Sequence, residues 1–149
     1  MADAAATADA RIRSRADLQN YLDCFNSKRY AEQCAYYAPD VIYKVGSLTL
    51  ASPQAIGDFY ADFHTYCDEY VEIADFLLDG DKCALSLPSY FRPFRDYETN
   101  GLSFKVGEDR EIVSFIIYTL KAGKIWRIRV ARYPGPVSDF APKGPPWRS

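Results

Sequence analysis

Residues 111–133 read EIVSFIIYTLKAGKIWRIRVARY. Apolar residues run along both halves of this stretch, and the segment Lys121-Ala122-Gly123 between them carries a glycine suited to a left-handed turn position. The pattern predicts two long antiparallel strands joined by a three-residue hairpin loop. With that loop, Tyr118 is expected opposite Trp126, and the register decides which face of the sheet each side chain occupies.

The predicted hairpin is rich in apolar side chains on both faces, and such strands are usually covered on both sides. The face expected to line a core or a pocket carries Ile112, Ser114, Ile116, Tyr118, Trp126, Ile128, Val130 and Arg132. The opposite face, expected to meet a partner subunit or another layer, carries Val113, Phe115, Ile117, Thr119, Ile125, Arg127, Arg129 and Ala131.

The composition is that of one globular domain. A chain of 149 residues is long enough to bury a core, and its twelve tyrosines can line an apolar surface while offering hydroxyl groups. The net charge of −2 and the lack of a basic block argue against a nucleic-acid partner. No apolar run reaches the roughly 18 residues of a membrane helix. The opening MADAAATADARIR has no continuous hydrophobic segment, so we expect a cytoplasmic protein without membrane contact.

The sequence carries no usual cofactor or metal motif. Its four cysteines are dispersed, which indicates reduced core residues and not a disulfide framework. The single histidine, His64, excludes a histidine-rich or Cys/His zinc site of the usual spacing. Neither the dinucleotide-binding nor the phosphate-binding glycine motif occurs. We therefore expect no cofactor and no metal.

Three helices are predicted in the first half of the chain. Ser14 is placed to cap the first, and the next short helix is expected at about residues 28–37. Ser52-Pro53 predicts the start of a third helix, which is expected to run to about Cys67. The apolar stripe of the first helix is Leu18, Tyr21, Leu22 and Phe25.

Strands are predicted between and after these helices. The first two are expected at residues 41–45 and 48–51. A hairpin is expected from residues 70–78 and 82–91 around Asp79-Gly80-Asp81. The chain thus reads as strands packed with helices in an α+β arrangement.

Composition divides the chain into a lead-in, a domain and a tail. Residues 1–13 are alanine-rich without a periodic pattern and are expected to be disordered. The domain is expected at residues 14–134. The tail, residues 135–149, is rich in proline and is expected either to be disordered or to be pinned across a groove by Phe140 and Trp147.

This order of elements resembles the SnoaL-like branch of the nuclear transport factor 2-like superfamily. The matching pieces are SRADLQNYLDCFNSKRYAEQCAYYAPDVIYKVGS, then SPQAIGDFYADFH, then IVSFIIYTLKAGKIWRIRVARY. The resemblance covers about residues 14–134. It implies a cone, in which a curved mixed or antiparallel sheet wraps around three helices and encloses an apolar pocket.

The resemblance also implies where functional groups lie. In many such enzymes the acid and the base project from the first strand, the long helix and the last strands. Here those places hold Tyr43, His64, Ser114, Tyr118 and Arg132. Relatives also often form dimers through the outer sheet face, which here implies contacts through Val113, Phe115, Ile117, Arg127 and Arg129.

Three mechanisms of the superfamily fit this sequence poorly. Limonene-epoxide-hydrolase-like members carry an Asp-Arg-Asp arrangement, and Val130 stands where the last of those aspartates is expected. Steroid-isomerase-like members use an aspartic acid donor on an inner strand, for which no counterpart stands out. Scytalone-dehydratase-like members use paired histidines, and this chain has one.

The candidate site residues follow from their chemistry as well as from the resemblance. His64 titrates near neutrality and is the candidate base or proton shuttle; Tyr43 is the candidate acid or oxyanion donor. Arg132 is the candidate orienting group, and Asp75 a reserve base. Each has a plain structural alternative, such as a helix-edge histidine or a core tyrosine. The expected substrate-binding wall is Tyr21, Phe25, Tyr60, Phe63, Ser114, Tyr118 and Trp126.

The sequence leaves three functions open. The first is a cofactor-free isomerase, cyclase or dehydratase that moves protons on an apolar oxygenated molecule such as a polyketide or a terpenoid. The second is a module that binds a small molecule or dimerises without catalysis. The third is an epoxide hydrolase that uses a carboxylate such as Asp75, which requires that residue to be buried.

Overall fold

A computed structural model describes residues 9–148 of the protein. The helices are α1 (Arg15–Asn26), α2 (Tyr30–Cys34) and α3 (Pro53–Phe63). The first five strands are β1 (Tyr37–Val45), β2 (Leu48–Leu50), β3 (Cys67–Val71), β4 (Asp75–Asp79) and β5 (Lys82–Pro93). The remaining strands are β6 (Tyr97–Thr99), β7 (Leu102–Phe104), β8 (Arg110–Lys121) and β9 (Lys124–Tyr133), and a short 3₁₀ helix follows at Val137–Phe140.

The strands form one large mixed sheet and one small hairpin. The large sheet has the order β2-β1-β9-β8-β5-β3, with β4 pairing β5 as well. Only β1 and β9 pair in parallel among the described strands, while β6 and β7 form the separate hairpin. The sheet curls around the helices as a half-barrel, so the predicted α+β cone of three helices and a curved mixed sheet is confirmed. No helix between residues 9 and 148 is both long and apolar enough to cross a membrane.

Side-chain caps begin both long helices as the sequence predicts. The Ser14 hydroxyl accepts a hydrogen bond from the Asp17 amide at 3.2 Å, and the Ser52 hydroxyl accepts one from the Ala55 amide at 3.0 Å. Such caps satisfy amides that have no partner inside the helix. The predicted end of α3 is wrong, because the helix stops at Phe63 and Cys67 opens strand β3. All four residues of the apolar stripe predicted for α1 are buried: Leu18, Tyr21, Leu22 and Phe25.

The region after α3 forms two strands in place of the single predicted one. Strands β3 and β4 pair in succession with the long strand β5. The end of β3 is tied to α1 by the Asn26 amide, which donates to the Val71 carbonyl and accepts from the Val71 amide, both at 2.9 Å. This side chain completes the hydrogen bonding of Val71 and fixes β3 beside the helices.

Beyond Trp126 the long hairpin has the predicted faces but a different register, whereas Ile125, predicted on the outer face, is buried in the core. Ala122 and Gly123 form a two-residue turn with both φ angles positive, at 51° and 80°, as a type I′ turn requires. A bulge then breaks the pairing between Thr119 and Leu120, so that Tyr118 lies opposite Ile128 and not opposite Trp126. The shorter loop and the bulge each shift the pairing by one residue, and a total shift of two preserves the faces.

Residues 9–13 pack onto the hairpin turn, which differs from the disorder expected for the lead-in. Ala10 and Ile12 are buried. The Ile12 amide donates to the Gly123 carbonyl at 2.9 Å, and the Lys124 ammonium donates to the Ala10 carbonyl at 2.7 Å. The rest of the predicted lead-in, residues 1–8, lies outside the described residues.

The proline-rich tail is held against the outer side of the sheet. The Phe140 ring lies edge-on to Tyr133 and Phe115, with centroids 5.0 Å and 6.1 Å away. The Arg92 guanidinium lies 4.9 Å from the centre of the Trp147 ring. Of the two alternatives for the tail, the structure therefore has the pinned one, with a short 3₁₀ helix within it.

One carboxylate collects the polar contacts of the tail. Glu72 accepts hydrogen bonds from the Lys143 and Gly144 amides, both at 2.9 Å, and from the Tyr90 hydroxyl at 3.0 Å. Hydrogen bonds to a charged acceptor are stronger than those between neutral groups. Glu72 thus joins the tail to the end of strand β3.

Replacing Glu72 should loosen the tail without unfolding the domain. Glu72→Gln removes the charge and one acceptor oxygen, at a cost of about 1.5 kcal/mol. We expect amide hydrogen exchange in residues 137–148 to accelerate roughly tenfold, with exchange in β8 and β9 unchanged. The control is Glu108→Gln in the exposed turn before β8. Equal exchange in the tail of both variants would show that Glu72 does not hold it.

Candidate functional site

The helices and the inner face of the sheet form a cavity of about 140 Å³ that is partly open to solvent. Apolar side chains form most of its wall, and Thr99 and Asn100 of the β6–β7 turn line it at one side. Eight of the predicted site residues line this cavity: Tyr21, Phe25, Tyr43, Tyr60, Phe63, Ser114, Tyr118 and Arg132. The fold thus brings together residues that lie more than 100 positions apart in the chain.

Trp126 lies outside the cavity, in contrast to the prediction. It falls at the bulge of the β8–β9 hairpin, where its indole donates to the Asp40 carboxylate at 3.1 Å. The Arg127 guanidinium lies 3.8 Å from the centre of its ring. The buried residue from this end of β9 is the adjacent Ile125. Trp126 is therefore not part of the cavity wall.

Asp75 is exposed and lies away from the cavity. Its carboxylate accepts a hydrogen bond from the Ser86 hydroxyl at 2.6 Å, across the β4–β5 pairing. The condition set for a reserve base was burial, and Asp75 does not meet it. The epoxide hydrolase hypothesis therefore loses the carboxylate on which it rested.

His64 is buried directly behind the cavity wall. It follows the last residue of α3, and its side chain is only 2% exposed. Its Nδ1 lies 2.6 Å from the Tyr30 hydroxyl and its Nε2 lies 3.0 Å from Glu69 Oε1. The rings of Phe25, Tyr60 and Phe63 surround it, with centroids 5.3 to 5.8 Å away.

The two partners of His64 fix the direction of its hydrogen bonds. Burial, together with the charge of Glu69, raises the pKa of Tyr30 to about 12, so the phenol keeps its proton at neutral pH. A phenol that donates to Nδ1 leaves the proton of a neutral imidazole on Nε2. Nε2 then donates to the Glu69 carboxylate, and each group in the chain Tyr30–His64–Glu69 has a partner.

Glu69 is the member of this hydrogen-bonded chain that lines the cavity. Strand alternation turns Cys67, Glu69 and Val71 to the inner face of β3, where Cys67 and Val71 are fully buried. The Glu69 side chain is 8% exposed and lines the cavity, whereas His64 does not. A carboxylate in an apolar wall needs a strong partner, and His64 supplies it. The predicted proton carrier, His64, therefore contacts the cavity only through Glu69, which was not predicted from the sequence to be a site residue.

Tyrosine hydroxyls supply further polar groups of the wall, and Tyr37 lies behind it. The hydroxyls of Tyr43 and Tyr60 lie 3.0 Å apart, and those of Tyr21 and Tyr37 lie 2.7 Å apart. Burial raises the pKa of all four phenols, and that of Tyr118 as well. These groups are consequently neutral and serve as hydrogen-bond donors and acceptors, not as bases.

Arg132 brings a positive charge to the edge of the cavity. It pairs across the sheet with Ser114, and both side chains line the cavity. Arg132 is also exposed to solvent, and its guanidinium lies 3.4 Å from the Asn100 carbonyl. It is thus placed to meet an oxygen-bearing group that enters from the outside.

The polar groups of the cavity suit proton transfer. A carboxylate, neutral phenols and a guanidinium all face one volume, which is the convergence that a reaction of this kind needs. In the described part of the chain, no three histidine, cysteine, aspartate or glutamate side chains gather closely enough to hold a metal ion.

Comparison with known proteins supports the fold. The family model of the SnoaL-like domain matches residues 18–128. Among curated proteins, no sequence matches this chain significantly.

Solved structures with this fold have distant sequences. A proposed polyketide cyclase from Xanthomonas campestris is 17% identical, with 83% of this chain and 91% of that chain covered and a TM-score of 0.64. A proposed ketosteroid isomerase from Kribbella flavida is 19% identical, with 90% of each chain covered and a TM-score of 0.60. A protein from Catenulispora acidiphila with a ketosteroid isomerase-like fold, in complex with trimethylamine, is 10% identical, with 83% and 89% covered and a TM-score of 0.65. At these identities the likeness shows the fold and does not assign a reaction.

The buried tyrosines should make the protein sensitive to alkali. Because burial raises the pKa of Tyr21, Tyr37, Tyr43, Tyr60 and Tyr118, the folded chain holds these protons more tightly than the unfolded chain. The resulting stability is complete below the unfolded pKa of about 10 and is lost as pH rises above it. We expect part of the tyrosinate absorbance to appear only together with the loss of far-ultraviolet circular dichroism. Titration of all twelve tyrosines before unfolding would contradict the buried hydroxyl network.

Proposed function

The chain belongs to the SnoaL-like domain family, and we propose that it is an isomerase, cyclase or dehydratase that acts by proton transfer. Its substrate in this proposal is an apolar, oxygenated small molecule of the polyketide or terpenoid kind. The observation that carries the proposal is a carboxylate, Glu69, whose side chain is 8% exposed on the wall of an apolar cavity that also holds the hydroxyls of Tyr43 and Tyr60. A surface designed only to enclose an apolar ligand has no need of a buried carboxylate.

Glu69 acts as the base in this proposal. It removes a proton from a carbon next to a substrate carbonyl, and the electron pair of that C–H bond passes to the carbonyl oxygen. Tyr43, a neutral donor, stabilises the resulting enolate by hydrogen bonding. Return of the proton to a different carbon completes an isomerisation. In a dehydration, the bond to a hydroxyl on the neighbouring carbon breaks and the hydroxyl leaves as water with the proton that Glu69 removed. In a cyclisation, the enolate carbon attacks a second carbonyl carbon of the same molecule, and the oxygen of that carbonyl takes the proton from Glu69.

His64 is a positioning residue for Glu69. Its hydrogen bond at 3.0 Å fixes one carboxylate oxygen and leaves the other free to meet the substrate. His64 donates this hydrogen bond from Nε2 and so holds the Glu69 carboxylate in one orientation. Arg132 binds an oxygen of the substrate at the edge of the cavity.

Exchange of carbon-bound protons tests this function without knowledge of the natural substrate. We expect the protein to accelerate the exchange of the α-protons of 2-tetralone with D₂O, followed by nuclear magnetic resonance. Glu69→Gln should lower the protein-dependent rate by about 10² to 10⁴, and Tyr43→Phe by about 10². His64→Gln should lower the rate by less than Glu69→Gln does, because the base remains but loses the partner that holds it.

The outcomes separate an enzyme from a binding module. The matched control is Glu98→Gln on strand β6, where the glutamate is exposed. The proposal fails if wild type binds 2-tetralone, shown by its effect on thermal unfolding, and exchanges no protons above the buffer rate. The chain would then be a module that binds small molecules without converting them.

We also infer that two copies of the chain associate through part of the outer sheet face. Of the five residues predicted for this contact, Val113 is buried within one copy and is not available. Phe115 and Ile117 on β8 are 44% and 40% exposed, and Leu77 on β4 is 71% exposed. Leu77 and Ile117 lie in one cross-strand row on either side of Ala84. Exposed apolar residues of this kind, here flanked by Arg127 and Arg129, are typically buried at the interface between two subunits.

A charge in this row should separate the copies. We expect wild type to run as a dimer in size-exclusion chromatography with light scattering, and Ile117→Glu to run as a monomer. Val106→Glu places the same charge on an exposed apolar residue before β8 and should remain a dimer. A monomeric wild type, or a dimeric Ile117→Glu, would place the interface elsewhere or remove it.

A further inference from the structure

Gln33 is a fully buried polar residue on the cavity wall. It lies in the short helix α2, four residues before Tyr37, and its exposed fraction is 0%. Its Nε2 donates to the Tyr37 hydroxyl at 2.9 Å. Gln33 lines the cavity together with Tyr21 and Tyr118.

The other half of this amide lacks a protein partner. Among residues 9–148, Gln33 Oε1 has no hydrogen-bond partner. Buried polar atoms are nearly always hydrogen-bonded, because an unpaired one costs the free energy of leaving water. A fully buried acceptor next to a cavity is therefore suited to a donor that enters that cavity.

A second polar group lies beside Gln33. The hydroxyl of Tyr21 and the Nε2 of Gln33 both bond to the hydroxyl of Tyr37, which makes Tyr21 and Gln33 neighbours. Burial raises the pKa of Tyr21, so its phenol stays protonated and can donate. An acceptor and a donor side by side complement a single hydroxyl group, which donates to one and accepts from the other.

The walls around this pair are aromatic. The ring of Tyr118 lies edge-on to that of Tyr21, with centroids 6.1 Å apart. The cavity volume of about 140 Å³ is close to that of an engineered apolar cavity of about 150 Å³ that binds benzene. A small ring system therefore fits against these residues.

We propose that Gln33 and Tyr21 form a subsite for a hydroxyl group carried on a ring of the ligand. Gln33 Oε1 accepts from that hydroxyl, and the Tyr21 phenol donates to it. This rests on the proposed function only in taking the cavity as the substrate site. It narrows the substrate class to hydroxylated ring compounds, since a ring without a donor leaves Gln33 unpaired.

Three ligands of similar size test the subsite: 2-naphthol, 2-methoxynaphthalene and naphthalene. The hydroxyl donates and accepts, the methoxy group only accepts, and the bare ring does neither. Isothermal titration gives a Kd for each with wild type, Gln33→Leu and Gln33→Met. Gln33→Met keeps an unbranched side chain of similar length, should the leucine variant fail to fold. The control is Gln19→Leu, which makes the same change at an exposed position of α1.

We expect wild type to prefer 2-naphthol over 2-methoxynaphthalene, and the ratio of the two Kd values to fall about tenfold in both Gln33 variants. The Gln19→Leu ratio should equal that of wild type. An unchanged ratio in the Gln33 variants overturns the subsite. If the protein exchanges the protons of 2-tetralone and yet shows that unchanged ratio, the subsite is wrong while the proposed function stands. If none of the naphthalenes and no tetralone binds, the cavity is not a ligand site and both proposals fail.

Discussion

The hydrogen-bonded chain from Tyr30 through His64 to Glu69 is the contact on which the site depends. It joins helix α2, the end of α3 and strand β3, three elements that share no backbone hydrogen bonds with one another in the described structure. A carboxylate on an apolar wall is unfavourable unless a partner compensates for the water that it loses. His64 compensates Glu69, and Tyr30 in turn satisfies the second nitrogen of His64. The hydrogen bonds of this chain therefore tie the helices to the strand that carries the cavity carboxylate.

Tyrosine residues, in place of phenylalanine, give the apolar cavity wall its hydrogen-bonding groups. Tyrosine contributes nearly the same apolar surface, but each buried hydroxyl must find a partner. Here Tyr43 pairs with Tyr60, and Tyr21 pairs with Tyr37. Pairing hydroxyls with one another keeps the wall uncharged, while each hydroxyl retains hydrogen-bonding capacity for a ligand. An apolar cavity with neutral donors and a single carboxylate is suited to handling carbonyl and hydroxyl groups on an apolar skeleton.

The sequence predicted the architecture well because the strongest patterns lie in the longest elements. The hairpin of β8 and β9 gave the correct faces even though its register is shifted, since two errors of one residue add to a full period of the strand. Ile125 and Trp126 are the exceptions, because a bulge falls at Trp126 and no local pattern marks a bulge. The caps at Ser14 and Ser52 depend only on neighbouring residues, and both are present.

The site was less predictable, because it depends on where one helix stops. Cys67 lies eleven residues after Ile56, a spacing that fits a helix, and it also alternates with Glu69 and Val71, which fits a strand. Assigning Cys67 to the helix hid the alternation that turns Glu69 inward. Gln33 was missed for a different reason. Its spacing of four from Tyr37 puts the two side chains on one side of a helix, but only the structure shows that its Nε2 has a hydrogen-bond partner and its Oε1 has none.

The outer face of the sheet follows from the same physical requirement as the inner one. A sheet that is apolar on both faces is stable when another layer packs against each face, and the helices pack only against the inner one. The tail covers part of the outer face, with Phe140 on Phe115 and Glu72 holding the backbone of residues 143–144. The row from Leu77 to Ile117 remains exposed beside it. In the proposed dimer, the partner copy therefore docks next to the tail, and the tail limits the area that the two copies can share.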